Sequence, residues 1–123
     1  MYALTSVSKK VLKELITHRV TTLELRNADN INVLLKLSVG DLIFITSKCK
    51  EDVISGTTGV VAKIKALNFS KQKISLNLDE FETSIGRVQL EVVGNARIMG
   101  SDDKGFCRGI EVGVEELVYY EAS

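Results

Sequence analysis

Three groups of side chains in this sequence have the types and spacing to do chemistry. Thr22, Glu24 and Arg26 alternate along one stretch, so an extended strand puts all three on one face. Arg26 is suited there to a phosphate or a base edge, Glu24 to accept from an amino group, and Thr22 to supply a hydroxyl. The same two charges can instead close a local ion pair on a solvated face, which contributes little. Arg19, just upstream, offers a phosphate contact or a favourable charge at the end of a helix. The second group is Lys63, Lys65, Lys71 and Lys73. A hairpin turning at Asn68-Phe69-Ser70 would align them on one face, with Lys65 opposite Lys73. Like charges so placed need an anion or an acidic neighbour, which nucleic-acid phosphate or Glu91 would provide. The stripe equally suits a solvated or protected edge, and only Phe69 interleaves with it, short of an aromatic platform. The third group, Gly56-Thr57-Thr58-Gly59, lacks the Gly-Lys-Ser/Thr continuation and the helix of a phosphate loop. It reads as a turn with positive-φ glycines.

Other chemistries find little support. His18 is the single histidine, which weakens zinc and histidine-base readings. Cys49 and Cys107 lie in no metal-type spacing and are expected to be reduced thiols. Asp79-Glu80 and Asp102-Asp103 lack the spacing of a calcium loop and are expected in surface loops. No catalytic residue, metal ligand or cofactor is assigned.

These residues must be positioned by a small fold. With 123 residues, 45% of them hydrophobic and 26% charged, the chain 1–123 is expected to form one globular domain. No apolar run approaches the roughly 20 residues of a membrane helix, and the first residues do not resemble a secretory signal. A cytosolic protein with no membrane partner is therefore expected. The zero net charge conceals an asymmetry: residues 1–75 carry 12 Lys/Arg against 6 Asp/Glu, and residues 76–123 carry 4 against 10. Either an anionic partner meets one face, or the halves interleave and neutralise each other; interleaving is the preferred reading.

Along the chain, a short strand over residues 2–6 precedes an amphipathic helix from Val7 to about His18. Val11, Leu12, Leu15 and Ile16 form its apolar stripe, Ser8 its N-cap, and Val7 with Leu12 a hydrophobic staple. The period then changes to two. Strands are expected around Leu23 and Leu25, over Ile31 to Leu37 after a turn at Asn27-Ala28-Asp29-Asn30, and over Leu42-Ile43-Phe44-Ile45. The last of these is apolar on both faces, as in a central strand. Residues 47–58 form a loop, residues 60–78 the lysine-bearing hairpin, and Val88, Leu90 and Val92 the next strand. Gly94-Asn95 marks a bulge or bend in one long strand, because a tight turn would set Val92 against Arg97. A polar loop over 101–105 and strands from Ile110 onward complete the list. The expected fold is mostly β (α+β): a small barrel of about seven strands with one N-terminal amphipathic helix.

Two segments resemble a known architecture. Leu4-Thr5-Ser6, a helix and Thr22-Leu23-Glu24-Leu25-Arg26, followed by Val39-Gly40-Asp41-Leu42-Ile43-Phe44, look like the start of the ASCH branch of the PUA-like superfamily. Over nearly the whole chain the sequence more closely resembles an uncharacterised archaeal family, domain of unknown function 473. That likeness rests on Ala3-Leu4-Thr5, Thr22 to Arg26, Gly40-Asp41-Leu42, Glu51-Asp52-Val53, Ser55-Gly56-Thr57, Gly59-Val60-Val61-Ala62-Lys63 and Arg87-Val88-Gln89-Leu90-Glu91. The resemblance implies a PUA-type barrel with a ligand cleft between helix and barrel. It also implies binding of RNA or modified nucleotides, or hydrolysis of modified nucleosides in some ASCH members. The sequence departs from the ASCH pattern at Arg19, where the pattern has glycine, and at Thr21, where it has the lysine that the hydrolases need.

Three functional expectations follow. The first is a non-catalytic module that binds RNA or a nucleotide through Thr22, Glu24 and Arg26, with Arg19 and the lysines nearby. A module that docks another protein is the main alternative, and a nucleoside hydrolase using Glu24 as acid/base is the third.

Overall fold

The computed structural model describes residues 1–54, 56–76, 79–103 and 110–119. Strand β1, Tyr2–Leu4, leads into helix α1, Lys9–His18. Ser8 caps the helix, its hydroxyl oxygen accepting from the Val11 N–H at 3.2 Å. Leu15 is fully buried, Val11 and Leu12 pack on the core, and Lys9, Lys10 and Lys13 face solvent. The helix stops at Arg19, which turns left-handed at φ 62° and donates its N–H to the Leu15 carbonyl at 2.8 Å. Glycine is the residue that adopts such a φ without steric cost. Arg19 adopts it with a side chain attached. Arg19→Gly should accordingly cost no stability, and should add up to about 1 kcal/mol in urea denaturation. A loss of more than 1 kcal/mol would contradict this account of the cap.

Strand β2, Val20–Leu25, follows, and then the chain departs from the pattern read in sequence. Residues 28–34 form a second helix, α2 (Ala28–Leu34), where a turn and a strand were expected. Asn27 is its N-cap, accepting from the N–H groups of Asp29 at 2.8 Å and Asn30 at 3.4 Å. Ile31, Val33 and Leu34 are buried while Leu35 is exposed, which a strand alternating from Ile31 to Leu37 would not produce. Asn30, expected in the turn, is buried and grips β1 through its amide. It accepts from the Thr5 N–H at 3.0 Å and donates to the Thr5 carbonyl at 2.8 Å.

The remaining strands are β3 (Leu42–Ile45), β4 (Thr58–Leu76), β5 (Asp79–Asp103) and β6 (Ile110–Tyr119), with a 3-10 turn at Lys50–Asp52. They build a mixed six-stranded sheet in the order β2-β5-β4-β3-β1-β6, and β6 also pairs with β5. Among the described residues only β1 and β3 run parallel. Among the described residues six strands and two α-helices stand where about seven and one were expected, because residues 28–34 are helical and residues 58–76 form one strand in place of a hairpin.

The expected hairpin at Asn68-Phe69-Ser70 is absent. β4 runs straight through these residues and pairs with β5 along its whole length. A bulge between Ile64 and Ala66 reverses the alternation, so Ile64 and Leu67 both pack on the core while Lys65 and Ala66 are exposed. Counted on from Leu67, Lys71 and Lys73 share a face with Phe69, not with Lys63 and Lys65. The four lysines therefore form no single stripe. Nor do Lys65 and Lys73 oppose each other: Lys73 pairs with Glu82, Lys63 with Glu91, and Lys65 Nζ lies 3.6 Å from a Glu91 carboxylate oxygen. Here the basic first half and the acidic second half interleave, as the charge asymmetry suggested. Gly94-Asn95 lies within the unbroken β5, beside a register shift, as expected of a bulge. Asp79-Glu80 and Asp102-Asp103 lie in β5, not in loops.

Each face of the sheet carries a buried apolar cluster. On one, Leu4, Ile43, Ile45, Val60, Ile64, Val88 and Leu90 meet α1 and α2. On the other, Ala3, Phe44, Val61, Ala96 and Ile98 form a second cluster. β3 sends Ile43 and Ile45 to the first and Phe44 to the second, which makes it the central strand expected. Among the described residues no helix is long and apolar enough to cross a membrane.

Candidate functional site

Helix α1 lies over the sheet with a cavity on each flank. The first, about 380 Å³, runs between the Ser8, Val11 and Glu14 side of the helix and strand β2. All of Thr21 to Asn27 lines it, so Thr22, Glu24 and Arg26 border the cleft together, Thr22 and Glu24 on the sheet face turned away from α1. Glu24 is the centre of their charge network. One carboxylate oxygen accepts from Arg26 Nη2 at 2.7 Å, and the other lies 3.5 Å from Arg87 Nε. Arg87 was not foreseen; it stands opposite Glu24 in the β2–β5 register, which no local pattern reveals. All three side chains are substantially exposed, so solvent screens the pairs and their stabilisation stays within about 1 kcal/mol. The network orients side chains more than it holds the fold.

β2 ends the sheet, and its backbone matters as much as its side chains. The Val92 N–H donates to the Arg19 carbonyl at 2.7 Å, which fixes the phase of the antiparallel ladder. Thr21, Leu23 and Leu25 then bond towards β5, and Val20, Thr22 and Glu24 turn their N–H and C=O groups to the open edge. The other expected residues lie elsewhere. Lys63 and Lys65 are two strands away across β5, on the exposed face that also carries Thr22 and Glu24. Lys71 and Lys73 lie further along β4, and Arg19 closes α1 without lining this cleft.

The second cavity, about 490 Å³, was not anticipated. It opens between Leu12 and Ile16 of α1 and the end of the β4–β5 ladder, where Thr58 pairs with Arg97 and Val60 with Asn95. The Gly56-Thr57-Thr58-Gly59 segment divides between these structures. Gly56 turns at φ 91° in the loop, whereas Gly59 is a β4 residue without positive φ. Among the described residues no cluster of three His, Cys, Asp or Glu could hold a metal ion. The Cys49 thiol is free and exposed, and Cys107 lies outside the described residues.

This is a mostly β domain whose mixed sheet carries two helices and, beside the first, two concave surfaces. The chain belongs to the family described as protein of unknown function (DUF473), whose profile matches residues 1–112. An uncharacterized protein of Methanocaldococcus jannaschii is 33% identical over 97 residues, 79% of this chain. The match spans 63% of that relative's length. No solved structure matches the chain.

Proposed function

We propose that the chain is a non-catalytic RNA- or nucleotide-binding module, a small PUA-like barrel working in the cytosol, with the ligand seated between α1 and β2. One observation carries this reading: Thr22, Glu24 and Arg26 lie along the β2 edge that borders a 380 Å³ cleft. A guanidinium has five donors, so Arg26 can keep its bond to Glu24 and its other contact and still meet a phosphate or base edge. Thr22 adds a hydroxyl, and Lys63 and Lys65 lie on the same exposed sheet face. The pairing of β6 with both β1 and β5 supports the barrel. Thr21 in place of lysine, and a Glu24 carboxylate engaged with two guanidiniums, favour binding over hydrolysis.

Titration of a labelled single-stranded RNA by fluorescence anisotropy tests the proposal. Affinity should fall with salt by about 0.7 logarithmic units per decade for each phosphate neutralised. Arg26→Ala should weaken binding about tenfold without lowering the melting temperature appreciably. Absence of binding at low salt would overturn the reading. The open edge of β2 favours a second reading, in which a partner protein adds a strand beside Thr22 and Glu24. A pull-down recovering RNA alone counts against it.

A further inference from the structure

We infer that the 490 Å³ groove on the other flank of α1 is a second ligand site, taking a small molecule with a flat apolar ring system and one anionic group. The inference does not rest on the α1–β2 cleft, and shares no lining residue with it. The volume falls within the range of small-molecule sites. One wall is aliphatic: Leu12 is half-buried, and Ile16 keeps 38% of its surface in solvent although it belongs to the apolar stripe of α1. Opposite stand the cross-strand pairs Val60–Asn95 and Thr58–Arg97. A thin apolar body between helix and sheet would remove Ile16 from water and lie along Val60. The rim carries groups able to bond a ring edge: the Asn95 amide, which keeps a contact within the fold but both donates and accepts, and the hydroxyls of Thr58 and Ser47.

Basic residues gather at the mouth, where Arg97 stands opposite Glu116 in the β5–β6 register. Arg97 lines the groove and is exposed; it has other contacts within the fold, but five donors allow it to hold those and an anion together. On the helix side Lys9 and Lys13 stand three residues before Leu12 and Ile16. They form the adjacent row on the helix surface, and both are exposed. Lys48 follows Ser47 in the loop and is exposed as well. Among the residues whose side chains are described no carboxylate lines this groove, whereas Glu14 and Glu24 both line the α1–β2 cleft. The two cavities therefore differ in charge as well as in place.

The test is an amide NMR titration of the full chain with three probes: adenosine monophosphate, adenosine and inorganic phosphate. The monophosphate should produce saturable shifts at Ile16, Ser47, Thr58 and Asn95, while adenosine and phosphate alone bind at least tenfold more weakly. Ile16→Glu, at an exposed helix position, should keep the native spectrum and abolish these shifts. Arg97→Gln should weaken the affinity about tenfold, the loss of one charge-assisted bond. An absence of shifts at millimolar monophosphate overturns the inference, as does an unchanged response in Ile16→Glu. Equal binding of adenosine overturns the anionic requirement and with it the stated ligand class. Shifts centred on Thr22 to Arg26, abolished by Arg26→Ala but not by Ile16→Glu, also overturn it while leaving the proposed cleft intact. Shifts in the groove that survive Arg26→Ala uphold the second site even if RNA never binds the cleft.

Discussion

Asn30→Ala should destabilise the protein by roughly 3 kcal/mol, lowering the melting temperature on the order of 10 °C. The Asn30 amide makes both hydrogen bonds that the Thr5 main chain would otherwise make to a neighbouring strand, and the site is buried. Removing the amide deletes two bonds and strands the Thr5 N–H and C=O away from water, and the stranding is the larger part. Asn30→Asp separates the contributions. It retains an acceptor for the Thr5 N–H but loses the donor and places a carboxylate beside a carbonyl, so it should be at least as harmful as alanine above neutral pH. Urea denaturation with both variants decides the matter. A loss below 1 kcal/mol for alanine would mean that water or a shift of α2 replaces the amide.

An effect of similar size is expected at Gly59 for a different reason. A methyl group there would come within 2.5 Å of Phe44 Cζ and overlap the Ile45 carbonyl oxygen. Neither neighbour can retreat easily. Phe44 is fully buried in the second core cluster, and Ile45 is held between β1 and β4. Gly59→Ala should therefore cost about 3 kcal/mol through overpacking. Gly56→Ala is the instructive contrast. Its added carbon meets nothing within 4 Å, so only the positive φ opposes it, at about 1 kcal/mol. Shortening the offending ring in Gly59→Ala/Phe44→Leu should recover part of the loss, giving a double-mutant coupling of at least 0.5 kcal/mol. Strict additivity would locate the strain at the Ile45 carbonyl instead.

The parts of the fold legible in the sequence are those fixed by a residue's near neighbours. Ser8, four regularly spaced aliphatics and a basic outer face define α1 without reference to the rest of the chain. Residues 31–37 fail for a physical reason. Ile31, Val33, Leu35 and Leu37 satisfy a period of two, while Ile31 and Leu34 satisfy a helical spacing, and seven residues are too few to separate the two. The side chain that decides is Asn30, whose partner Thr5 is 25 residues away. The lysine face fails because a bulge and a turn have the same local signature: each reverses which residues face the core. Only the long pairing of β4 with β5 shows that the reversal at Lys65 and Ala66 is a bulge. Thr22, Glu24 and Arg26 were recognisable as a group because alternation within one strand is local. Arg87 and the groove beneath Leu12 and Ile16 depend on strand register, and no spacing within one segment encodes that.

The shortest strand has the longest reach. Tyr2 and Ala3 of β1 are hydrogen-bonded on one side to a segment some forty residues later and on the other to one more than a hundred residues later. During synthesis from the amino terminus, β1 can find its first neighbour once β3 has left the ribosome. It must then wait for β6 before its second edge is covered. Until then Ala3 and Leu4, both buried in the finished protein, have no complete site to occupy. The sheet cannot grow outward from a local hairpin on both sides of β1, and the entropy of two large loops must be lost before that strand is secured. Securing both edges of β1 thus requires closing two of the largest loops among the described strands.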